Sequence, residues 1–188
     1  MRDNIQRAIQ ALAYTNAFWR DVAIFCAAAL LYFLVVAWFV AVYLQRQRLT
    51  FAVVLRVALL FGLSYVIAKV AGHVIVDPRP YLVQQIVPLI PLAHDNGFPS
   101  DHSLLAWALA LSLVWLGPSS IWPFVLGAIL VMLGRLGIAA HHSLDVGGSA
   151  LIVLVIALIL GRLPMPKGWD RPLLRHHRWP RFLRVSEE

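Results

Sequence analysis

Charge is scarce in this chain: of its 188 residues only 13% are Asp, Glu, Lys or Arg, about half the share of an ordinary soluble domain. Apolar residues make up 61%, gathered into runs whose interiors hold no charge, which is how a chain solvated by lipid reads. That composition speaks against a soluble domain and for a polytopic membrane protein. Cysteine is nearly absent: Cys26 alone, inside the first apolar run, allows neither a disulfide framework nor a thiolate metal site within one chain. Acidic residues are few, nine against sixteen Lys and Arg, for a net charge of +7. In a soluble protein that surplus would point first to nucleic acid. Here the basic residues lie beside the apolar runs, where membrane orientation and anionic lipid account for them, so the expected partner is the membrane and not nucleic acid. The oligomeric state is not legible. Repeats, low-complexity tracts and linkers long enough to separate domains are also lacking, so residues 1–188 read as a single integral-membrane domain with a basic cytoplasmic tail at about 164–188.

The fold class expected is all-α, a polytopic transmembrane helical bundle of about five spans plus an N-terminal amphipathic helix. In the segment Met1 to Arg20, Ile5, Ala8, Ile9, Leu12 and Ala13 recur at helical spacing opposite Asp3, Gln6 and Gln10, which predicts a helix lying in the interface. Its acids and polar residues fill the stretch where a cleavable signal peptide would be continuously apolar. Spans are then expected over about Val22–Leu44, Phe51–Val76, Ser100–Gly117, Ile121–Ile138 and Leu144–Leu163. Asp77-Pro78-Arg79-Pro80 stops the second, since two prolines around an arginine cannot continue a helix, and Tyr81–Phe98 reads as a loop at the membrane surface.

An odd number of spans puts the termini on opposite sides, and the loops after spans two and four on one side. Arg46, Arg48, Arg162, Lys167, Arg171, Arg175, Arg178, Arg181 and Arg184 collect on the other, which the positive-inside rule assigns to the cytoplasm. The polar loops then face the periplasm or cell exterior. The tail aromatics Trp169, Trp179 and Phe182 suit anchoring at the interface.

Three short segments on the outer side concentrate the residues that are expensive in a membrane: Asp77-Pro78-Arg79-Pro80, Pro99-Ser100-Asp101-His102, and Gly134-Arg135 followed by His141 and Asp145. Arg135, inside an otherwise charge-free span, costs about 2.5–3.5 kcal/mol on insertion scales unless it snorkels to the headgroups or faces a polar cavity and an anion. Pro99-Ser100-Asp101-His102 opens a helix, whose terminus is either simply well capped or ready for phosphate. His102 lies about one turn from that position, close enough to donate a proton to a leaving oxygen. His141 and Asp145 are four apart, a spacing that lets a carboxylate fix the imidazole tautomer and leave the other nitrogen free to attack, or serves only as a structural hydrogen bond. His142, whose i+4 neighbour is Val146, is given no role.

Taken together, Arg79-Pro80, Pro99-Ser100-Asp101-His102, Arg135, His141 and Asp145 resemble, in order, spacing and membrane placement, the three-motif pattern of the type 2 phosphatidic acid phosphatase family. The resemblance runs from about Lys69 to Asp145 and continues into Val146-Gly147-Gly148. It implies hydrolysis of a phosphomonoester or pyrophosphate through a phosphohistidine, without metal or other cofactor. It also implies His141 as nucleophile, Asp145 as its partner, and His102 as acid and then base, with Arg79, Arg135, Ser100 and the backbone at Asp101 holding phosphate. Two departures stand out. Gly134 replaces the serine that usually precedes the third-motif arginine, and Gly72 stands where the first motif usually has lysine. Lys69, one turn earlier, and the adjacent His73 are the candidates to replace that lysine, Lys69 the better for its longer stem. Asp101 replaces a glycine common in the family, and its carboxylate should be turned away from phosphate.

A site at the lipid–water boundary suits an amphiphilic lipid phosphate or pyrophosphate. Small size, Ser-Asp-His and an outward site resemble the bacitracin-resistance type of undecaprenyl pyrophosphate phosphatase, which makes that carrier lipid of cell-wall synthesis the first expectation, in a bacterial inner membrane. Phosphatidylglycerophosphate, phosphatidate, a lipid A phosphate or an inactive family member are the alternatives. From other classes, a metal hydrolase built on His102, His141, His142 and Asp145 lacks the complementary carboxylates of a two-metal phosphatase, and a transporter or scaffold would also carry intramembrane charge.

Overall fold

The computed structural model describes residues 3–117 and 121–173. The expected turn at Pro118-Ser119-Ser120 and the tail beyond Leu173, with Arg175, Arg178, Trp179, Arg181, Phe182 and Arg184, lie outside the described residues. Among the described residues eight α-helices follow one another: α1 (Asn4–Ala13), α2 (Ala17–Ile24), α3 (Leu30–Leu44), α4 (Phe51–Val74), α5 (Pro80–Val83), α6 (Asp101–Ser112), α7 (Ile121–Gly137) and α8 (Ser143–Arg162). A π-helical turn, Phe25–Ala29, joins α2 to α3 within one continuous rod, and a 3-10 turn, Leu113–Trp115, extends α6.

Among the described residues three helical rods are long and apolar enough to cross a membrane, Ala17–Leu44, Phe51–Val74 and Ser143–Arg162, and two shorter apolar ones are Asp101–Trp115 and Ile121–Gly137. Lipid solvation explains their surfaces. Tyr32, Phe33, Val36 and Phe39 of α3 and Leu151 and Ile159 of α8 are exposed, an arrangement water would penalise and hydrocarbon does not. The core is built around α6, buried nearly all round through Leu104, Ala106, Ala108, Leu109 and Ala110. On one side Leu109, Ala110 and Leu113 meet Leu31, Leu34, Ala128 and Val131, and on the other Leu104 and Ala108 meet Leu60, Val153 and Ile156. Trp38 and Ser112 pair inside the bundle, as lipid favours: Trp38 Nε1 donates to Ser112 Oγ at 2.8 Å, and that hydroxyl donates to Leu109 O at 2.8 Å, whereas the buried Ser64 hydroxyl of α4 has no hydrogen-bond partner among the described residues.

The N-terminal expectation needs correcting in two respects. The amphipathic helix does not run on to Arg20; it ends at Ala13, and Asn16, whose side chain accepts from Trp19 N at 3.0 Å, caps a new helix. The first long rod therefore begins at Ala17 and not near Val22. The polar face of α1 also turns inward: Gln6 is fully buried and donates to Gln10 and to Leu136 O, while Ile5 and Leu12 stay exposed. At a membrane surface that is the favourable sense, because the outer face of α1 meets lipid and its polar face meets the protein's own carbonyls.

The rods place two distinct ends. At one, Arg48 donates to Leu116 O at 3.0 Å and Leu173 N to Leu49 O at 2.8 Å, so the turn after α3, the end of α6 and the start of the tail lie together. At the other gather α1, the segment from Ile75 to Ser100 and the α7–α8 junction, joined by Ser143 Oγ donating to Asp3 at 2.9 Å. The segment expected as a surface loop contains the single turn α5 and folds back over this end, with Tyr81 buried and its amide donating to Ala139 O at 3.2 Å.

Candidate active site

All three motif segments meet at that second end. After α4 the chain extends through Asp77-Pro78-Arg79, and Asn96 stitches it down: its side-chain amide donates to Gly72 O at 2.7 Å and Ile75 O at 2.8 Å, and its oxygen accepts from Asp77 N at 2.8 Å. Gly97 N donates to Asp77 O at 2.8 Å, which carries the Gly97 carbonyl to the centre of the site. After α7, Ala139 adopts a left-handed conformation, φ 58°, which turns the chain sharply and brings His141 back toward Arg135.

His141 is 2% exposed, and each ring nitrogen has a distinct neighbour. Its Nδ1 lies 2.8 Å from the carbonyl of Gly97. A carbonyl can only accept, so the proton sits on Nδ1 and the lone pair on Nε2. That Nε2 is 3.4 Å from Arg79 Nη1 and 3.4 Å from Arg135 Nη2. Two guanidinium groups converging on one unprotonated nitrogen favour an anion among them, and place its central atom beside a nucleophile. Both arginines are held from behind. Arg79 donates through Nε to Asp95 at 2.8 Å and through Nη1 to Ala140 O at 3.1 Å. Arg135 Nη1 donates to Ala27 O of the π-helical turn at 3.5 Å, and its Nε has no hydrogen-bond partner among the described residues. Arg135 is 6% exposed and faces this polar cluster, so it does not snorkel.

Burial, followed by the charges of Arg135 and Arg79, pushes the His141 imidazole well below its ordinary value of 6.5. The neutral ring is therefore retained in the folded protein at pH values where an unfolded chain would take up the proton. The stability this contributes is full above 6.5 and is lost as pH falls below it, because the unfolded state then binds more protons. Imidazole NMR of selectively labelled protein should show His141 as the neutral Nδ1–H tautomer at pH 6; a protonated ring there would contradict the arrangement.

Asp145 stands differently from expectation. Its Oδ2 is 3.5 Å from His141 Nδ1, further than Gly97, and accepts instead from His142 N at 2.8 Å. Gly97 thus sets the tautomer, while Asp145, fully buried, supplies negative charge behind the ring. Its Oδ1 has no hydrogen-bond partner among the described residues. His142 does have a place: Nδ1 is 3.2 Å from Asp77 Oδ2. Burial and the neighbouring Asp145 carboxylate raise the pKa of Asp77. Donor atoms of Asp77, His142 and Asp145 lie within 4.8 Å of one another, the one grouping among the described residues that could hold a cation, and there His142 already pairs with Asp77.

His102, Asp101 and Lys69 line, with Arg79, Arg135 and His141, a cavity of about 620 Å³. Ser100 is not in its wall: fully buried, its hydroxyl accepts from Ser103 Oγ at 3.2 Å as the cap of α6. The Asp101 carboxylate is taken up by Lys69, 3.2 Å away. Both glycine departures have packing reasons. A Cβ on Gly134 would lie 2.5 Å from Ala27 N and 2.7 Å from Cys26 C, and one on Gly72 would lie 2.9 Å from Phe98 O. Sequence reasoning read Asp77 only as part of a polar helix stop, and overlooked Asp95, Asn96 and Gly97. Their signal was His94-Asp95-Asn96-Gly97, a cluster of polar turn formers within an otherwise apolar loop.

An all-helical bundle with lipid-compatible flanks and a neutral imidazole nitrogen turned toward two arginines belongs to the class of membrane phosphatases. The profile of the PAP2 superfamily matches residues 52–169, and the chain is a member of that superfamily. It is 28% identical over 167 residues to undecaprenyl-diphosphatase BcrC of Bacillus subtilis, covering 87% of this chain and 82% of that one. It is 25% identical to the bacitracin transport permease protein BcrC of Bacillus licheniformis, over 82% of this chain and 76% of that one. A third relative, an undecaprenyl-diphosphatase of Sulfolobus acidocaldarius, is 31% identical over 46% of this chain and 43% of its own. No solved structure matches.

Proposed function

We propose that the protein hydrolyses undecaprenyl pyrophosphate to undecaprenyl phosphate and inorganic phosphate, through a phosphohistidine and without metal. The observation that carries the reading is His141: Nδ1 bound to Gly97 O at 2.8 Å, and Nε2 at 3.4 Å from both Arg79 and Arg135. Support for the substrate comes from the relatives named undecaprenyl-diphosphatase.

In the first step the Nε2 lone pair attacks the terminal phosphorus in line, the bridging P–O bond breaks with its electrons, and His102 protonates the departing lipid phosphate. Arg79 and Arg135, with the backbone N–H groups at the start of α6, neutralise the equatorial oxygens. In the second step His102 accepts a proton from water, the water oxygen bonds to phosphorus, and the P–N bond electrons return to Nε2. Asp145 steadies the positive charge that the ring acquires in between. The whole chain works as one integral-membrane unit in the bacterial inner membrane, its site open to the outer face and its arginine-rich end in the cytoplasm.

The test is phosphate release by purified protein in detergent with EDTA, from undecaprenyl pyrophosphate, phosphatidylglycerophosphate and phosphatidate. EDTA-resistant turnover with the pyrophosphate favoured is the expected result. Preference for a glycerolipid overturns the substrate, and restoration only by divalent cation overturns the mechanism.

A further inference from the structure

The cations that line the cavity fall into two sets. Arg79 and Arg135 form the inner one, buried, converging on His141 and anchored to Asp95, Ala140 and Ala27. Lys69, on α4, forms the outer one, half exposed, with Nζ 3.2 and 3.3 Å from the two oxygens of Asp101. Lys69 reaches the cavity from a different place than a lysine at position 72 would. The Gly72 backbone packs against the Phe98 carbonyl, so no side chain enters the cavity from position 72 without moving that loop.

One turn earlier along α4, Lys69 is about 5 Å further from the loop end of the helix. The same cavity is also lined by Ala28, Tyr32 and Ala68, apolar residues of the long helical rods. An amphiphile with its terminal phosphate at His141 and its tail toward that apolar wall would carry any second phosphate past Lys69.

We propose that Lys69, held in place by Asp101, is a second anion subsite that takes the lipid-attached phosphate of a diphosphate, and so selects diphosphates over monophosphates. This rests on the proposed hydrolysis at His141. As the bridging bond breaks, the lipid-attached phosphate gains negative charge, and the Lys69 ammonium is the group placed to neutralise it. Before binding, Asp101 keeps the ammonium directed into the cavity; on binding, phosphate oxygens replace the carboxylate. The glycine common at position 101 in the family offers no such hold.

The experiment compares kcat/KM for undecaprenyl pyrophosphate and phosphatidate in wild-type protein, Lys69→Met, Asp101→Asn and the double variant. The ratio of diphosphate to monophosphate turnover should fall about 10- to 100-fold in Lys69→Met, the range of a charged hydrogen bond. Asp101→Asn should shift that ratio only while Lys69 is present. A second readout needs no turnover: inorganic pyrophosphate should compete better than inorganic phosphate for the wild-type site, and lose that advantage in Lys69→Met. An unchanged ratio, or equal loss on both substrates, overturns the subsite, and an Asp101→Asn effect that persists in Lys69→Met overturns its positioning role. A wild-type protein that hydrolyses phosphatidate but not the pyrophosphate rejects the parent reading instead.

Discussion

Replacing His141 with alanine is expected to lower turnover at least about 10³-fold, because it removes the bond-forming atom itself and not a contact around it. Two features make the expectation specific to this histidine. His102 and His142 are near, but among the described histidines it is His141 that combines an Nδ1 committed to a carbonyl with an Nε2 against both arginines. Labelled substrate quenched in alkali should leave phosphate on the wild-type protein, since phosphohistidine withstands base and is lost in acid. The label should be missing from His141→Ala. Retained label in that variant would move the nucleophile elsewhere, His102 first.

The second large effect runs against intuition. Restoring the serine common in the family at position 134 should damage the protein, not improve it. The Cβ of any residue there would meet Ala27 N at 2.5 Å and the Cys26 carbonyl carbon at 2.7 Å, both backbone atoms of the π-helical turn that cannot rotate away. Overpacking of this kind costs about 1–3 kcal/mol, or roughly 2–12 °C in Tm for a chain of this size. The same contact positions Ala27 O behind Arg135, so displacing it loosens a side chain that the proposed mechanism sets against phosphate. Gly134→Ala separates the causes: it should destabilise as much as Gly134→Ser, because the clash is at Cβ and not at the hydroxyl. A serine variant with unchanged Tm and higher activity would show instead that the hydroxyl, and not helix approach, governs this position.

Much of the molecule is legible without coordinates. Long charge-free runs identify lipid-solvated helices because hydrocarbon tolerates only apolar side chains and internally bonded backbone. Arg79, His102, Arg135, His141 and Asp145 stand out because ionisable groups are too costly in such runs to remain without purpose. Periodicity misleads at Gln6: it finds two faces of a helix, but not which of them meets the protein when lipid and not water lies outside.

What only the tertiary structure decided were the contacts made across the chain. Gly97 orients a ring 44 residues away, Asn96 ties its loop to the backbone of Gly72, Ile75 and Asp77 at the end of α4, and Asp101 faces Lys69 across 32 residues. A backbone carbonyl acts through its position, which residue identity does not reveal; position 97 is glycine because a Cβ there would lie 2.9 Å from Asp77 O and 3.1 Å from Asp145 Oδ2. The two glycine departures likewise became intelligible only as close approaches of backbone to backbone. Sequence determined the chemistry available and the helices that carry it; the packing of α4, α7, the π-helical turn and the loop at Gly97 decided which nitrogen of His141 faces the arginines and where each charge is held.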